Sequence, residues 1–156
     1  MNEPNLTAFQ RTKIQMEYVV PLLRDLQAQL GTDVIIDALR QRLADRVADA
    51  TANVRKNIPA EKRMAGAERG FEMFGEGNTL SYEIIASDQP NRTAVDVHRC
   101  GYAELMASME AADLGDLLLC SDDYVATAAV NTKLDRTQTL MLGASHCNFR
   151  FEALED

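Results

Sequence analysis

The chain has 156 residues, of which 46% are hydrophobic and 26% charged, and its formal net charge is −8. This length suits one domain with a substantial core, so we expect a single domain over residues 1–156. The acidic balance argues against nucleic acid or anionic lipid as partners, because both require a basic surface. No segment approaches the roughly 20 apolar residues of a membrane span, and the first residues lack the basic and apolar regions of a secretory signal. We therefore expect a cytoplasmic protein that does not contact membranes.

Residues 1–60 are predicted to be mainly helical. Apolar residues recur there at three- and four-residue steps along one face. Pro21 predicts either a kink in one helix or the first turn of a second. Gly31 is expected to end this section, and Thr32 to cap the next helix through its side-chain oxygen. Pro59 and the following "AEKRMAGAERG" are expected to break the helical pattern.

The second half of the chain changes to a period of two. Alternation predicts strands near residues 79–86 and 92–99, joined through the turn "DQPNR". Helical spacing then returns over residues 102–125, which predicts two short helices. The segments "TQTLML" and "CNFRFE" are predicted to form a second hairpin. The expected fold is α+β, with N-terminal helices packed on an antiparallel sheet made of two β-hairpins with short helices between them.

Three cysteines, Cys100, Cys120 and Cys147, are the first candidates for chemistry. Their number is odd and their spacing is wide, which fits neither a disulfide framework nor the paired knuckles of a structural zinc site. Free thiols that pack as small hydrophobic side chains are the simplest interpretation of each cysteine taken alone.

Two neighbouring pairs suggest a more active role. Cys120 and Asp123 are three residues apart in a predicted helix and so share a face, where the aspartate can accept a proton from water or from the thiol. His146 stands beside Cys147, and an imidazole there can act as base, acid or ligand. The alternative for His146 is a strand-end histidine that is exposed or hydrogen-bonded to the backbone.

Thiolate, imidazole and carboxylate are also accepted zinc ligands, so a zinc site is an open alternative. The ligands are scattered single residues, however, and we expect no metal and no cofactor. Arg136 and Arg150 can clamp a substrate carboxylate with their planar guanidinium groups, although most surface arginines simply remain solvated.

Residues 79–152 resemble the L-2-amino-thiazoline-4-carboxylic acid hydrolase family. The similarity lies in "VHRCGYAELMASMEAADLGDLLLCSDDYV" followed by "RTQTLMLGASHCNFRFE". The positions that carry it are Cys100, Cys120 with Asp123, Arg136-Thr137 with Thr139, and Gly143 with Cys147, Phe149 and Arg150. No single short motif is distinctive, and the resemblance rests on the ordered set.

The resemblance implies a cytoplasmic hydrolase that opens a small cyclic amidine, of the type that converts aminothiazoline carboxylate to N-carbamoylcysteine. Water must add to the ring carbon between nitrogen and sulfur. The implied catalytic residues are Cys100, Cys120, Asp123, His146 and Cys147, and the implied substrate-binding residues are Arg136, Thr139 and Arg150. Two versions remain open: Cys120 or Cys147 attacks the substrate, or Asp123 activates water while the cysteines line the pocket.

Two other classes of function compete with this interpretation. One is a non-catalytic small-molecule or zinc-binding sensor domain built on the same sheet and helices. The other is an interaction module that dimerises through its amphipathic first sixty residues. A homo-oligomer is compatible with either class and with the enzyme.

Overall fold

The structure, a computed structural model, describes residues 5–155 and combines helices with an antiparallel sheet. The α-helices are α1 (Ala8–Leu30), α2 (Thr32–Ala52), α3 (Ala60–Phe74), α4 (Gly101–Ser108), α5 (Ala112–Gly115) and α6 (Asp122–Ala128). The strands are β1 (Leu80–Ile85), β2 (Arg92–Cys100), β3 (Thr132–Asp135) and β4 (Cys147–Ala153), in the sheet order β1-β2-β4-β3. The predicted α+β class is confirmed. Within residues 5–155, no helix is both long enough and apolar enough to cross a bilayer.

The first two helices meet at Gly31. A capping box starts α1, because the Thr7 side chain accepts a hydrogen bond from the Gln10 amide and the Gln10 side chain accepts one from the Thr7 amide. Helix α1 continues through Pro21 as one element and ends at Leu30, directly before Gly31, whose φ of 101° favours glycine. The prediction that Thr32 caps α2 is wrong: Thr32 is the first helical residue, and no side chain caps this helix.

Helix α3 occupies the stretch where the sequence predicted a break. Pro59 precedes its first residue, a place where the fixed φ of proline suits a helix start and its missing N–H costs nothing. The predicted break after Pro59 is therefore wrong, and the proline begins a helix. Met64 and Phe71 of α3 are buried, and the Phe71 ring meets Phe149 of the sheet edge-on at 4.9 Å between centroids.

The first predicted hairpin is confirmed, and the second needs a correction. Strands β1 and β2 pair antiparallel, with Ile84 opposite Val95. The prediction that "TQTLML", residues 137–142, forms a strand is wrong: β4 pairs instead with β3, where Leu134 lies opposite Phe151. Residues 140–142 form a short 3-10 turn, and the Thr139 side chain supports it by accepting a hydrogen bond from the Met141 amide at 3.1 Å.

The buried residues form two clusters on either side of this turn. One cluster fills the space between α3 and one face of the sheet, and it contains Met64, Phe71, Val95, Val97, Leu134, Cys147, Phe149, Phe151 and Ala153. The other joins α1 to α4, α5 and the 3-10 turn, and it contains Met16, Val20, Met106, Ala111, Leu114 and Met141. The turn therefore contacts both parts of the core.

A wide helical turn separates α5 from α6. Residues Asp116–Cys120 form a π-helix, in which the Ser121 amide donates to the Asp116 carbonyl five residues earlier at 2.9 Å. The sequence predicted an ordinary helix over this stretch. Such wide turns occur mostly as single insertions within α-helices, often at functional sites. This one ends at Cys120 and directly precedes the helix that carries Asp123.

Gly115 lets the 3-10 turn pack closely against this helical segment. A Cβ at Gly115 would lie 2.6 Å from the Met141 sulfur and 2.8 Å from Cγ of Met106, and both methionines are buried. We expect Gly115→Ala to lower the free energy of unfolding by about 1–3 kcal/mol, because the overpacked side chains have little room to move. Urea denaturation measures this, with Gly66→Ala as the control.

Gly66 lies in α3, where an added Cβ would meet no neighbouring side chain within 4 Å. Alanine there is expected to leave stability unchanged or to raise it by about 0.4–1 kcal/mol. Equal effects of the two substitutions would contradict the close packing at Gly115.

Candidate active site

The 3-10 turn and the residue before it contact two of the three cysteines and lie near the third. The Thr139 hydroxyl oxygen lies 4.0 Å from the Cys120 sulfur, and the Leu140 amide donates to the Cys147 sulfur at 3.2 Å. Leu140 also lines, together with Cys100, an open depression of about 260 Å³. Thiols that are far apart in the sequence are thus arranged around one turn.

Asp123 is held by an arginine from the other side of this site. One guanidinium nitrogen of Arg136 donates to the Asp123 carboxylate at 2.7 Å, and another donates to the Cys120 carbonyl at 2.8 Å. The guanidinium lies between two aromatic rings, 5.3 Å from the centroid of Tyr124 and 4.9 Å from that of Phe149. Arg136 therefore ties α6 and the wide helical turn to the sheet.

The two partners of this ion pair differ in their access to solvent. The Arg136 side chain is only 4% exposed, whereas that of Asp123 is 41% exposed. The surrounding protein partly desolvates the carboxylate and raises the pKa of Asp123, an effect that the Asp122 charge increases and the Arg136 guanidinium opposes. A reachable carboxylate with a raised pKa is suited to accepting a proton from water.

Burial disfavours the thiolate form of two of the cysteines. Burial raises the pKa of Cys120 to about 12, although the nearby guanidinium of Arg136 lowers it. Burial also raises the pKa of Cys100, and backbone amides of α4 oppose this only in part. A thiol rather than a thiolate is a weak nucleophile, and at both cysteines burial outweighs the groups that would favour the thiolate.

Cys147 belongs to the hydrophobic core. It is 6% exposed, lies opposite Val97 in the sheet, and faces the same side as Phe149. The depression beside Leu140 is lined by Cys100 but by neither of the other two cysteines: its residues are His98, Arg99, Cys100, Ala103, Glu104, Ala107 and Leu140. Two of the thiols therefore contact the turn, and only the third, Cys100, lines this depression.

His146 and Arg150 lie on the opposite face of the sheet from Cys147. The His146 ring stacks on His98 with 6.3 Å between centroids, and it shares a hydrogen bond with the Ser145 hydroxyl. Arg150 donates to Asp96 at 2.7 Å, and this bond lowers the pKa of Asp96. The structure thus brings Cys120, Asp123, Arg136 and Thr139 together and places His146 and Arg150 apart from them.

Tyr124 and Arg46 are neighbours of this site that had no signal in the sequence, whereas Phe149 is one of the positions that carry the family resemblance. Tyr124 and Phe149 enclose Arg136, and Arg46 of α2 forms an ion pair with Asp122. Each comes from a separate part of the chain, and arginine-aromatic contacts have no characteristic spacing. Within residues 5–155, no group of three or more histidine, cysteine, aspartate or glutamate side chains is arranged to hold a metal ion.

Comparison with known families assigns the chain to one of them. Residues 11–151 match the family model of L-2-amino-thiazoline-4-carboxylic acid hydrolase. The chain belongs to this family. The match takes in nearly all of helices α1–α3 and so extends well beyond residues 79–152, where the sequence shows its resemblance. No curated protein matches this member of the aminothiazoline carboxylate hydrolase family.

Proposed function

We propose that this protein is a hydrolase that opens L-2-amino-thiazoline-4-carboxylate, or a closely related cyclic amidine acid, to the corresponding carbamoyl amino acid. The observation that carries the proposal is the family match over residues 11–151. The Asp123 carboxylate, held by Arg136 beside Cys120, supplies a proton acceptor of the kind this reaction needs.

In the proposed reaction, Asp123 removes a proton from a water molecule as the water oxygen bonds to the ring carbon between nitrogen and sulfur. The ring nitrogen takes up a proton, and the carbon becomes tetrahedral. The carbon-sulfur bond then breaks, the urea carbonyl forms, and the sulfur leaves with a proton as the thiol of the product. One water is consumed, and no oxidant or reductant is required.

The thiols support the water route over attack by cysteine. Cys120, with a pKa of about 12, is a neutral thiol near pH 7, and Cys147 is buried in the core. We assign Cys120 and Thr139 to the wall of the site next to Asp123. Cys100, beside the depression at Leu140, is the other thiol near open space.

The family resemblance implies that Arg136 binds the substrate, but in this proposal it has a different role. Its guanidinium is buried and already donates to Asp123 and to the Cys120 carbonyl. We therefore assign it to positioning the carboxylate rather than to binding the substrate. His146 and Arg150, on the other sheet face, are outside the proposed reaction. All three cysteines are free thiols, which supports the cytoplasmic location that we propose.

The test is a direct assay of the purified full chain with both enantiomers of 2-aminothiazoline-4-carboxylate. The expected result is one new thiol per substrate consumed, followed with a thiol reagent, and a carbamoyl product identified by mass spectrometry. We expect Cys120→Ala to keep kcat within about tenfold of the parent, because the thiol only lines the site.

Loss of all turnover in Cys120→Ala, with an intact fold, would instead indicate nucleophilic attack by this cysteine. Tight binding of the substrate by the parent without any turnover would favour the sensor class over the hydrolase. A ring amidine that lacks the carboxylate serves as the control for substrate specificity.

A further inference from the structure

Helix α1 is apolar on two sides. Met16 and Val20 on its inner side are buried in the core. On its outer side, Ile14, Tyr18 and Leu22 are 56%, 74% and 47% exposed. Large apolar side chains that form a continuous stripe on an exposed helix face indicate a contact surface. We call Ile14, Tyr18 and Leu22 the outer stripe.

The outer stripe is symmetric about Tyr18. Ile14 and Leu22 lie four residues to either side, and Arg11 and Asp25 lie seven residues to either side. With 3.6 residues per turn, these five residues occupy an arc of about 80° on the helix. Two copies of α1 that cross antiparallel at Tyr18 therefore bring Ile14 of each copy against Leu22 of the other, and Arg11 of each against Asp25 of the other.

We propose that a second copy of this chain covers the outer stripe, through an antiparallel pair of α1 helices related by a twofold axis at Tyr18. A twofold contact uses the same patch on both subunits, so the patch must complement itself in shape and charge. The outer stripe meets this condition, because its apolar centre is flanked by a base at one end and an acid at the other.

The charges on α1 favour this partner. Asp25 is exposed and forms no ion pair among the described residues, and the Arg11 guanidinium donates only to the Leu6 carbonyl. Helix α1 carries three basic and two acidic residues, whereas the whole chain has a net charge of −8. The repulsion that the acidic chain would otherwise impose on a second copy is therefore reduced along this helix.

Sedimentation equilibrium of the full chain, from about 1 µM to about 1 mM, tests whether the protein dimerises. We expect Tyr18→Ala to weaken the dimer about 30-fold, because a large aromatic residue at the centre of an interface contributes strongly. Ile14→Glu is expected to abolish dimerisation. Met73→Glu is the control, because Met73 is an apolar residue of α3 with the same exposure of 56% as Ile14. This control should leave the dimer unchanged.

Charge reversal tests the antiparallel geometry itself. Arg11→Glu places two carboxylates at each end of the helix pair, and Asp25→Lys places two cations there. Each single variant is expected to dimerise about tenfold more weakly than the parent. An equimolar mixture of the two variants should recover parental affinity, because both ends of the mixed pair then join opposite charges. Circular dichroism of each variant checks that α1 stays helical.

Three outcomes overturn the proposal. The first is a parent chain that stays monomeric throughout the concentration range. The second is a dimer that Ile14→Glu and Met73→Glu weaken equally, which would place the interface elsewhere. The third is a monomer that binds neutral phosphatidylcholine vesicles through the outer stripe, which would identify a lipid surface as the occupant. None of these outcomes bears on the hydrolase activity, because the substitutions lie outside the proposed site.

Discussion

Asp123→Asn is expected to lower kcat for aminothiazoline carboxylate by roughly 10²- to 10⁴-fold, because the substitution removes the proposed general base and keeps the side-chain shape. The amide can still accept the hydrogen bond from Arg136, which the parent makes at 2.7 Å. The fold should therefore persist, and KM should change little. Steady-state kinetics and a thermal melt of the same sample measure the two effects separately.

Asp122→Asn is the matched control for this substitution. It removes the same charge from the adjacent residue, which pairs with Arg46 and not with Arg136. The expected loss in kcat is less than tenfold. Equal losses in the two variants would show that the local negative charge matters and that Asp123 is not the base.

The pH dependence of kcat is a second test of the role proposed for Asp123. Asp123 must be ionised to accept a proton, so activity should fall as the pH falls through its pKa. Desolvation raises this pKa, and the acidic limb should therefore lie above the range of an ordinary aspartate. Because the Asp122 charge contributes to the rise, Asp122→Asn should move the limb to lower pH.

Arg136→Ala is expected to lower the free energy of unfolding by about 2–3 kcal/mol. The change removes hydrogen bonds to a carboxylate and to the Cys120 carbonyl, together with the contacts to two aromatic rings. For a chain of this size, this corresponds to a melting temperature roughly 4–12 °C lower. Urea denaturation at pH 7 measures the free energy directly.

Arg150→Ala is the control for the loss of an arginine. Arg150 also bonds to an aspartate at 2.7 Å, but its side chain is 42% exposed on the open face of the sheet. We expect less than about 1 kcal/mol of destabilisation, as for other solvent-accessible ion pairs. Similar losses in the two variants would mean that the burial of Arg136 adds nothing to stability.

The features that the sequence predicts well are those with a local physical cause. Alternating apolar residues predict β1 and β2, because one face of β2 is buried and Leu80 and Tyr82 of β1 pack partly against the same core. Gly31 predicts the boundary between α1 and α2 because its positive φ suits glycine. The pairing of Cys120 with Asp123 near Arg136 follows in part from helical spacing, although the sequence does not reveal that Arg136 is buried.

The features that the sequence predicts poorly depend on contacts between residues that are distant along the chain. "TQTLML" alternates like a strand, but the hydrogen bond from the Met141 amide to Thr139 supports a turn. Pro59 looks like a break, but it precedes a helix whose apolar side packs on the sheet. The position of His146 was predictable from the sequence. Neighbouring residues along a strand point to opposite faces of the sheet, so a histidine next to Cys147 is expected on the other face.

The wide turn at Asp116–Cys120 has a consequence for comparing members of the family. A chain with one residue fewer in this stretch is expected to form a regular α-helix without the wide turn, which would change how Cys120 and Asp123 are placed on the helix surface. A deletion within these five residues would therefore alter the helix beside Asp123, whereas a deletion in a surface loop would not. We expect relatives that keep this length to keep the wide turn beside Asp123, and shorter ones to replace it with a regular helix.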